Sequence, residues 1–127
     1  MYNSLDIFQT ASAMARHAGA RQAVVARNIA NADTPGFQAE RIAAFKDVYQ
    51  SNGSGGMRAT RDGHLNAREM VNTPRELLPT GAPSPNGNTV SIEEEMLNSV
   101  AVSREHNRAL AIYRHALTVL RTSIGRG

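Results

Sequence analysis

The sequence predicts a mainly α-helical fold, in which two long terminal helices pair as a coiled-coil-like unit and the middle segment is irregular, either partly β or disordered. Residues 4–31 contain no proline and one glycine, and residues 91–123 contain neither. Apolar residues recur in both segments at alternating steps of three and four, as in an amphipathic helix. We expect an N-terminal helix and turn in residues 1–37, an irregular segment in 38–88 and a C-terminal helix in 89–127, together forming one assembly domain.

The N-terminal segment is rich in Ala, Arg, Gln and Met, which favour a helix. Asn3 or Ser4 suits the N-cap position, and Asp6 would place a negative charge in the first turn. The apolar stripe is narrow, like the seam of a coiled coil. Its larger apolar members are Ile7, Met14, Val25 and Ile29.

The helix is expected to end at a turn that also serves assembly. Asn31 favours a C-terminal left-handed conformation, and Pro35 followed by Gly36 cannot continue a helix. Short polar side chains here hydrogen-bond locally, and Phe37 offers an apolar anchor to a neighbour. A plain helix end followed by a turn is the alternative interpretation. The candidate assembly turn comprises Asn28, Ile29, Asn31, Asp33, Thr34, Pro35, Gly36 and Phe37.

The middle segment carries weaker signals. Apolar residues at Ile42, Phe45, Val48 and Tyr49 predict a short helix of about three turns. Beyond it, a Gly- and Ser-rich stretch at residues 51–56 and four of the five prolines indicate turns and loops. Short strands around residues 57–60 and 64–65 are an alternative that the brief alternation does not decide.

The C-terminal helix has the clearer boundaries and the stronger seam. Ser91 and Glu94 have the spacing of a capping box, and Arg121 suits the negative end of the helix. The predicted seam contains Ile92, Met96, Leu110, Tyr113, Leu117, Leu120 and Ile124. Polar residues at Ser99, Ser103 and His106 interrupt its first half, which places the tightest packing toward the C-terminus.

The composition predicts a thin core in an isolated chain. The 127 residues include no Trp, three Phe and three Tyr, and many apolar positions are Ala, which buries little area. Neither helix has an apolar face broad enough to be stable alone. The two seams therefore bury either against each other, as an antiparallel hairpin, or against neighbouring subunits, and the thin core favours neighbours.

Several functional classes are disfavoured. The net charge is only +3 without a dense basic tract, no apolar run approaches the roughly 20 residues of a membrane span, and the N-terminus lacks the pattern of a cleaved signal peptide. Absence of Cys excludes disulfides and thiolate metal sites. The histidines at positions 17, 64, 106 and 115 have no ligand or catalytic spacing. We expect no catalytic, cofactor-binding or metal site, and no enzyme.

Two segments resemble a known family. The run Asn-Ile-Ala-Asn-Ala-Asp-Thr-Pro-Gly-Phe at residues 28–37 follows the N-terminal helix and resembles the signature of flagellar axial proteins of the rod and hook. Asn-Gly-Asn-Thr-Val at residues 86–90 resembles the start of their terminal helix, although Asn86 stands where Asp is usual. The short length, Ala59-Thr60, His64-Leu65 and the ending at residues 116–120 are similar to the proximal rod members.

The resemblance implies a structural subunit of the bacterial flagellar basal body, in the periplasmic rod. Its terminal helices would form the inner layer of a helical tube that transmits torque. It would be exported by the flagellar type III apparatus without cleavage and would contact copies of itself, other axial proteins and a basal-body adaptor. No cofactor, nucleic acid or direct membrane span is implied. The alternatives are another short rod protein of the same family, or a small basic helical nucleic-acid-binding module.

Overall fold

Two long helices dominate the structure, a computed structural model that describes residues 2–53 and 77–125, with side chains described for residues 6–49 and 81–125. The elements within these ranges are α1 (Tyr2–Ala30), β1 (Ala39–Ile42), α2 (Phe45–Gly53), β2 (Leu77–Thr80) and α3 (Ile92–Ile124). The prediction of a mainly helical fold with a long helix at each end is confirmed. Neither α1 nor α3 combines length with enough apolar character to cross a membrane, and the same holds for the shorter helix in the described ranges.

The helices α1 and α3 pack antiparallel. The rings of Phe8 and Tyr113 meet edge to face at a centroid distance of 5.1 Å. Further along, Gln22 Nε2 donates a hydrogen bond of 3.1 Å to Ser99 Oγ. Residue numbers thus fall along α3 as they rise along α1. The end of α1 and the start of α3 consequently lie at the same end of the helix pair.

Small residues at heptad spacing line the contact between the two helices. On α3 the buried residues are Glu95, Val102 and Ala109, and on α1 the residues with the same spacing are Ala11, Ala18 and Val25, all buried. Val102 is 1% exposed and Ala109 is fully buried. Because most of these side chains are small, the contact buries little area per residue.

The helix termini agree with the sequence at α3 and differ at α1. Ser91 is the N-cap of α3, and its hydroxyl accepts a hydrogen bond of 3.4 Å from the backbone N–H of Glu94. By contrast, α1 already begins at Tyr2, so Asn3 and Ser4 lie within its first turn, which contains no acidic residue. The predicted N-cap and the first-turn position of Asp6 are therefore wrong.

A two-stranded antiparallel sheet follows α1, with Ala39 opposite Thr80 and Ile42 opposite Leu77. The sequence placed Ile42 in a helix, but it is the last residue of β1, and α2 begins at Phe45. The strands considered at residues 57–60 and 64–65 lie outside the described residues. Ala39 and Ile42 are buried, which explains why four residues suffice for a strand here.

His17 lies buried where α1, α2 and α3 meet. His17 is 4% exposed, its ring meets Phe45 edge to face at 5.5 Å, and within the described part of the chain neither ring nitrogen has a hydrogen-bond partner. Burial lowers the pKa of His17, the nearby Arg21 lowers it further, and Glu105 opposes them by raising it. His17 therefore remains neutral in the folded chain at neutral pH.

This burial predicts a pH-dependent stability. Because the folded pKa lies below the ordinary value of 6.5, the unfolded chain binds more protons, and the free energy of unfolding falls as pH drops from 6.5 toward the folded pKa. Above pH 6.5 the free energy of unfolding is not reduced by this titration, because His17 is neutral in both the folded and the unfolded chain. Urea denaturation at a series of pH values should show this slope for the wild type and a shallower one for His17→Leu. Equal slopes would contradict the assignment.

Gly19 is exposed in the middle of α1, and apart from its neighbours along the chain and the backbone of its own helix, no atom of the described residues lies within 4 Å of the place that a Cβ would occupy. A glycine inside a helix costs about 0.5–1 kcal/mol relative to alanine. Gly19→Ala should therefore raise the free energy of unfolding by about that amount, measured by thermal denaturation. Gly87→Ala is the matched control and should lower it, because Gly87 has a φ of 80°. A destabilising Gly19→Ala would contradict the prediction.

Candidate assembly interface

The end of α1 is fixed to β1 by a buried asparagine. Asn28 is fully buried, and its Nδ2 donates a hydrogen bond of 2.8 Å to the carbonyl of Glu40. Its Oδ1 accepts one of 3.2 Å from the N–H of the same residue. One side-chain amide thus satisfies both backbone groups of Glu40, as a neighbouring strand would. Arg27 adds an ion pair of 2.9 Å to the Glu40 carboxylate.

A second asparagine closes the C-terminal end of α1. Asn31 Nδ2 donates a hydrogen bond of 2.8 Å to the carbonyl of Arg27, which also accepts the backbone N–H of Asn31 at 3.1 Å. Its Oδ1 accepts a hydrogen bond of 3.2 Å from the hydroxyl of Thr34. Phe37 N–H then donates to the carbonyl of Thr34 at 3.3 Å. The local hydrogen bonding expected of this turn is present at Asn31 and Thr34.

A third asparagine, Asn88, joins the turn to the start of α3. Its Nδ2 donates to the carbonyls of Asn31, Ala32 and Thr34 at 2.9, 2.8 and 2.8 Å. Its Oδ1 accepts a hydrogen bond of 2.7 Å from the N–H of Val90. Asn88 is 2% exposed. The two N–H groups of Nδ2 are shared among three carbonyls, and these hydrogen bonds fix the orientation of the amide. No other uncharged side chain of this size offers both two N–H donors and a carbonyl acceptor.

Backbone contacts continue the connection between the two segments. Gly36 N–H donates to the carbonyl of Asn86 at 3.0 Å, and Thr89 N–H donates to the carbonyl of Phe37 at 3.0 Å. Gly36 and Gly87 have φ values of 73° and 80°, and a Cβ on Gly87 would lie 3.4 Å from the Cα of Gly36. The positive φ values, which side chains other than glycine rarely adopt, account for glycine at both positions. We call residues 28–40 together with 86–90 the asparagine junction.

Ion pairs connect the elements around the asparagine junction. They are Arg21–Glu105 at 2.6 Å, Arg27–Glu40 at 2.9 Å and Arg41–Glu94 at 3.6 Å, which link α1 to α3, α1 to β1 and β1 to α3. The first is the most buried, with side chains 12% and 26% exposed. The other two lie nearer the solvent and contribute little to stability.

The predicted assembly turn divides into a buried and an exposed part. Asn28 is buried, Asn31 and Phe37 are half-buried, and Ile29, Asp33, Thr34, Pro35 and Gly36 are exposed. Residues 86–90 were recognised from the sequence as a motif, but Asn88 was not predicted to be a site residue. The spacing of its apolar neighbours gives no sign of its role, because its partners are backbone carbonyls more than fifty residues away.

The predicted seam residues are distributed between the interior and the surface. Val25 is buried; Met14, Leu110, Leu117 and Leu120 are half-buried; Ile7, Ile29, Ile92, Met96, Tyr113 and Ile124 are exposed. In the first half of α3 the residues that face α1 lie one position before the predicted seam, at Glu95 and Val102. Which seam residues become buried between subunits stays a prediction.

The first half of α3 exposes large apolar side chains beside acidic ones. Met96, Leu97 and Val100 are 61%, 73% and 52% exposed. The hydrogen bonds that the carboxylate of Glu93 accepts from its own backbone N–H and from Ser91 lower its pKa, so this group is charged at neutral pH. No cluster of three or more potential metal-ligating His, Asp or Glu side chains occurs in the ranges that the structure describes. The arrangement offers surfaces for protein contacts.

Comparison with known proteins identifies the family. A family model described as "Flagella basal body rod protein" matches residues 10–38, which include most of α1 and the turn. The flagellar basal body rod protein FlgB of Agrobacterium fabrum (strain C58 / ATCC 33970) is 32% identical over 111 residues, 81% of each chain. FlgB of Yersinia ruckeri is 36% identical over 101 residues, covering 72% of this chain and 74% of the relative. The chain therefore belongs to the family of flagellar basal body rod proteins to which FlgB belongs.

Proposed function

We propose that this chain is a structural subunit of the proximal rod of the bacterial flagellum, in the periplasm. Its helices α1 and α3, held in register by the asparagine junction, form one assembly domain that polymerises into a helical tube and transmits torque. The chain reaches this place through the flagellar type III export apparatus, without a cleaved signal peptide. It contacts copies of itself, other axial proteins and a basal-body adaptor, and it performs no catalysis.

The observation that carries this proposal is the asparagine junction. Its two segments are the ones that resemble flagellar axial proteins, and Asn88 bonds them to each other although they are more than fifty residues apart. The helix pair that leaves the junction exposes Ile7, Met96, Leu97 and Ile124. Apolar side chains on two separate helices give a subunit with different contact faces, and a heterologous contact that does not close builds a filament.

The ion pairs argue against the nucleic-acid-binding alternative. That hypothesis depended on arginines along the helices, and Arg21 and Arg27 are both engaged by carboxylates within the chain. A nucleic-acid surface would instead keep its cations directed at phosphates. The exposed apolar residues of α3 also fit a protein contact better than a phosphate backbone.

Deleting the gene and examining basal bodies by electron microscopy tests the proposal. We expect the deletion strain to be non-motile, with basal bodies that lack the rod, and we expect the wild-type gene to restore both. Intact rods in the deletion strain would refute the proposal. A variant with Gln22→Ala, which removes only a peripheral hydrogen bond between the helices, is a suitable complementation control.

A further inference from the structure

A small cavity lies where α1, β1 and the first turns of α3 meet, close to the asparagine junction. Its volume is about 10 Å³. The apolar part of its wall consists of Val24, Val25 and Ile42, all of which are buried. This is about the smallest volume that admits one water molecule, and it excludes any larger ligand.

Two polar atoms of residues that line the cavity are buried without a hydrogen-bond partner. They are Oε2 of Glu95 and Nε of Arg41, and neither is bonded to any atom in the described part of the chain. Glu95 as a whole is only 3% exposed. On folding, an unpaired carboxylate oxygen and an unpaired guanidinium N–H both lose their hydration without replacement. Buried polar atoms of this kind are nearly always paired, with protein or with ordered water.

Direct contact does not pair these two atoms with each other. Arg41 uses its Nη2 in an ion pair of 3.6 Å with Glu94, and Arg21 is bonded to Glu105. Among the described residues, no ion pair joins either arginine to Glu95. A donor and an acceptor that face one cavity without touching are the arrangement that a bridging water molecule satisfies.

Water has the donor and the acceptor that this site requires. Its oxygen accepts a hydrogen bond from the Nε–H of Arg41, and one of its O–H groups donates to Oε2 of Glu95. A third partner is available in Asn98, which lines the cavity and is half-buried. The amide of Asn98 can either donate or accept. Buried water molecules in proteins typically make about three hydrogen bonds, so the site is complete.

The charges around the cavity favour a neutral ligand. Two arginines line it, Arg21 and Arg41, together with two acidic residues, Glu40 and Glu95. A cation would approach two guanidinium groups, and an anion would approach two carboxylates. The cavity is therefore suited to a neutral molecule of the size of water.

We propose that this cavity is the site of one ordered water molecule, which bridges Nε of Arg41 and Oε2 of Glu95. The bridge connects β1 to the first turns of α3. It acts beside two direct links of the asparagine junction, in which Asn28 fixes α1 to β1 and Asn88 fixes the turn to the start of α3. The inference goes beyond the rod assignment and does not depend on it.

NMR spectroscopy of the purified chain tests the site through the methyl groups of Val24 and Val25. These methyl groups carry no exchangeable protons and belong to buried residues that line the cavity. They should show nuclear Overhauser effects to water, with the sign expected for a molecule that tumbles with the protein. The methyl group of Ala109 is the control and should show none, because Ala109 is fully buried and does not line the cavity. Absence of the effect at both valines would overturn the inference.

Two variants each remove one partner of the water molecule and keep a side chain of similar length. Glu95→Met and Arg41→Met should both abolish the effects at Val24 and Val25. Glu93→Gln, which removes an exposed charge from the same turn of α3, should preserve them. Effects that persist in both methionine variants would overturn the inference, because the water molecule would then not depend on these partners. Arg41→Met decides alone if Glu95→Met does not fold, since the Arg41 side chain is 42% exposed.

The sign of a stability change gives a second test. If the water molecule satisfies Oε2 of Glu95, Glu95→Met removes a paired group and should lower the urea concentration at the midpoint of unfolding. If Oε2 is unpaired in the folded chain, the same substitution removes an unfavourable group and should raise this midpoint. A raised midpoint would therefore overturn the inference. The rod assignment is tested separately, by the gene deletion.

Discussion

Asn88→Ala is expected to lower the free energy of unfolding by about 3 kcal/mol and to abolish rod assembly. The substitution leaves the carbonyls of Asn31, Ala32 and Thr34 without their shared donor and the N–H of Val90 without its acceptor. The carbonyls of Asn31 and Thr34 keep the N–H groups of Thr34 and Phe37, so the loss falls mainly on the carbonyl of Ala32 and the N–H of Val90, at roughly 1–3 kcal/mol for each unpaired group. Urea denaturation followed by circular dichroism measures the change.

Two further variants test whether the lost hydrogen bonds of Asn88 cause this loss of stability. Asn88→Asp keeps an acceptor for Val90 but turns a carboxylate toward three carbonyl oxygens, so it should be at least as destabilising as Asn88→Ala. Asn86→Asp should change stability by less than about 0.5 kcal/mol, because Asn86 is exposed and its Oδ1, which accepts from the N–H of Asn88 at 3.0 Å, is replaced by a carboxylate oxygen that accepts equally well. A stable Asn88→Ala would show that the junction does not depend on this amide.

Val102→Asp should separate the two long helices, at a cost of about 4 kcal/mol. Val102 is 1% exposed and is one of the buried residues of α3 that line the contact with α1. A carboxylate there would have to lose its hydration or force the helices apart. The loss should appear as lower helicity and a lower melting temperature in circular dichroism.

Val100→Asp, on the same helix two residues earlier, is the matched control. Val100 is 52% exposed, so the monomer should keep its helicity and melting temperature within the error of the measurement. The same charge among the exposed apolar side chains of α3 should still impair assembly in cells. If the two aspartate variants melt alike, the burial of Val102 does not hold in solution.

The long helices were predictable because their signals are local. Absence of proline, helix-favouring composition and the Ser91 cap each depend on residues within a few positions of one another. The apolar periodicity also indicated that α1 and α3 each bury an apolar stripe against another helix. It did not identify the residues through which α1 and α3 contact each other. The larger apolar side chains at Ile92 and Met96 marked a stripe of α3 that is exposed, whereas the buried stripe contains small residues such as Val102 and Ala109.

The sheet and the asparagine junction depended on distant parts of the chain. Ile42 has helix-compatible spacing to Phe45, and only pairing with Leu77 makes it part of a strand. Likewise, the assembly turn was recognisable as a turn, yet its stability comes from an amide at position 88. Sequence patterns report a residue's neighbours along the chain, whereas a buried amide is defined by the backbone groups that surround it in space.

The pairing of β1 with β2 gives the middle of the chain an unusual freedom to change length. Ala39 and Thr80 face each other across the sheet, directly beside the junction that ends α1 and begins α3. The segment between Ile42 and Leu77 therefore begins and ends at nearly the same point of the structure. For a flexible insertion, a doubling of loop length changes the closure free energy by only about 0.6 kcal/mol. An epitope or fluorophore inserted after Gly53 and before Leu77, clear of α2 and its contact with His17, would accordingly leave the helix pair in its register.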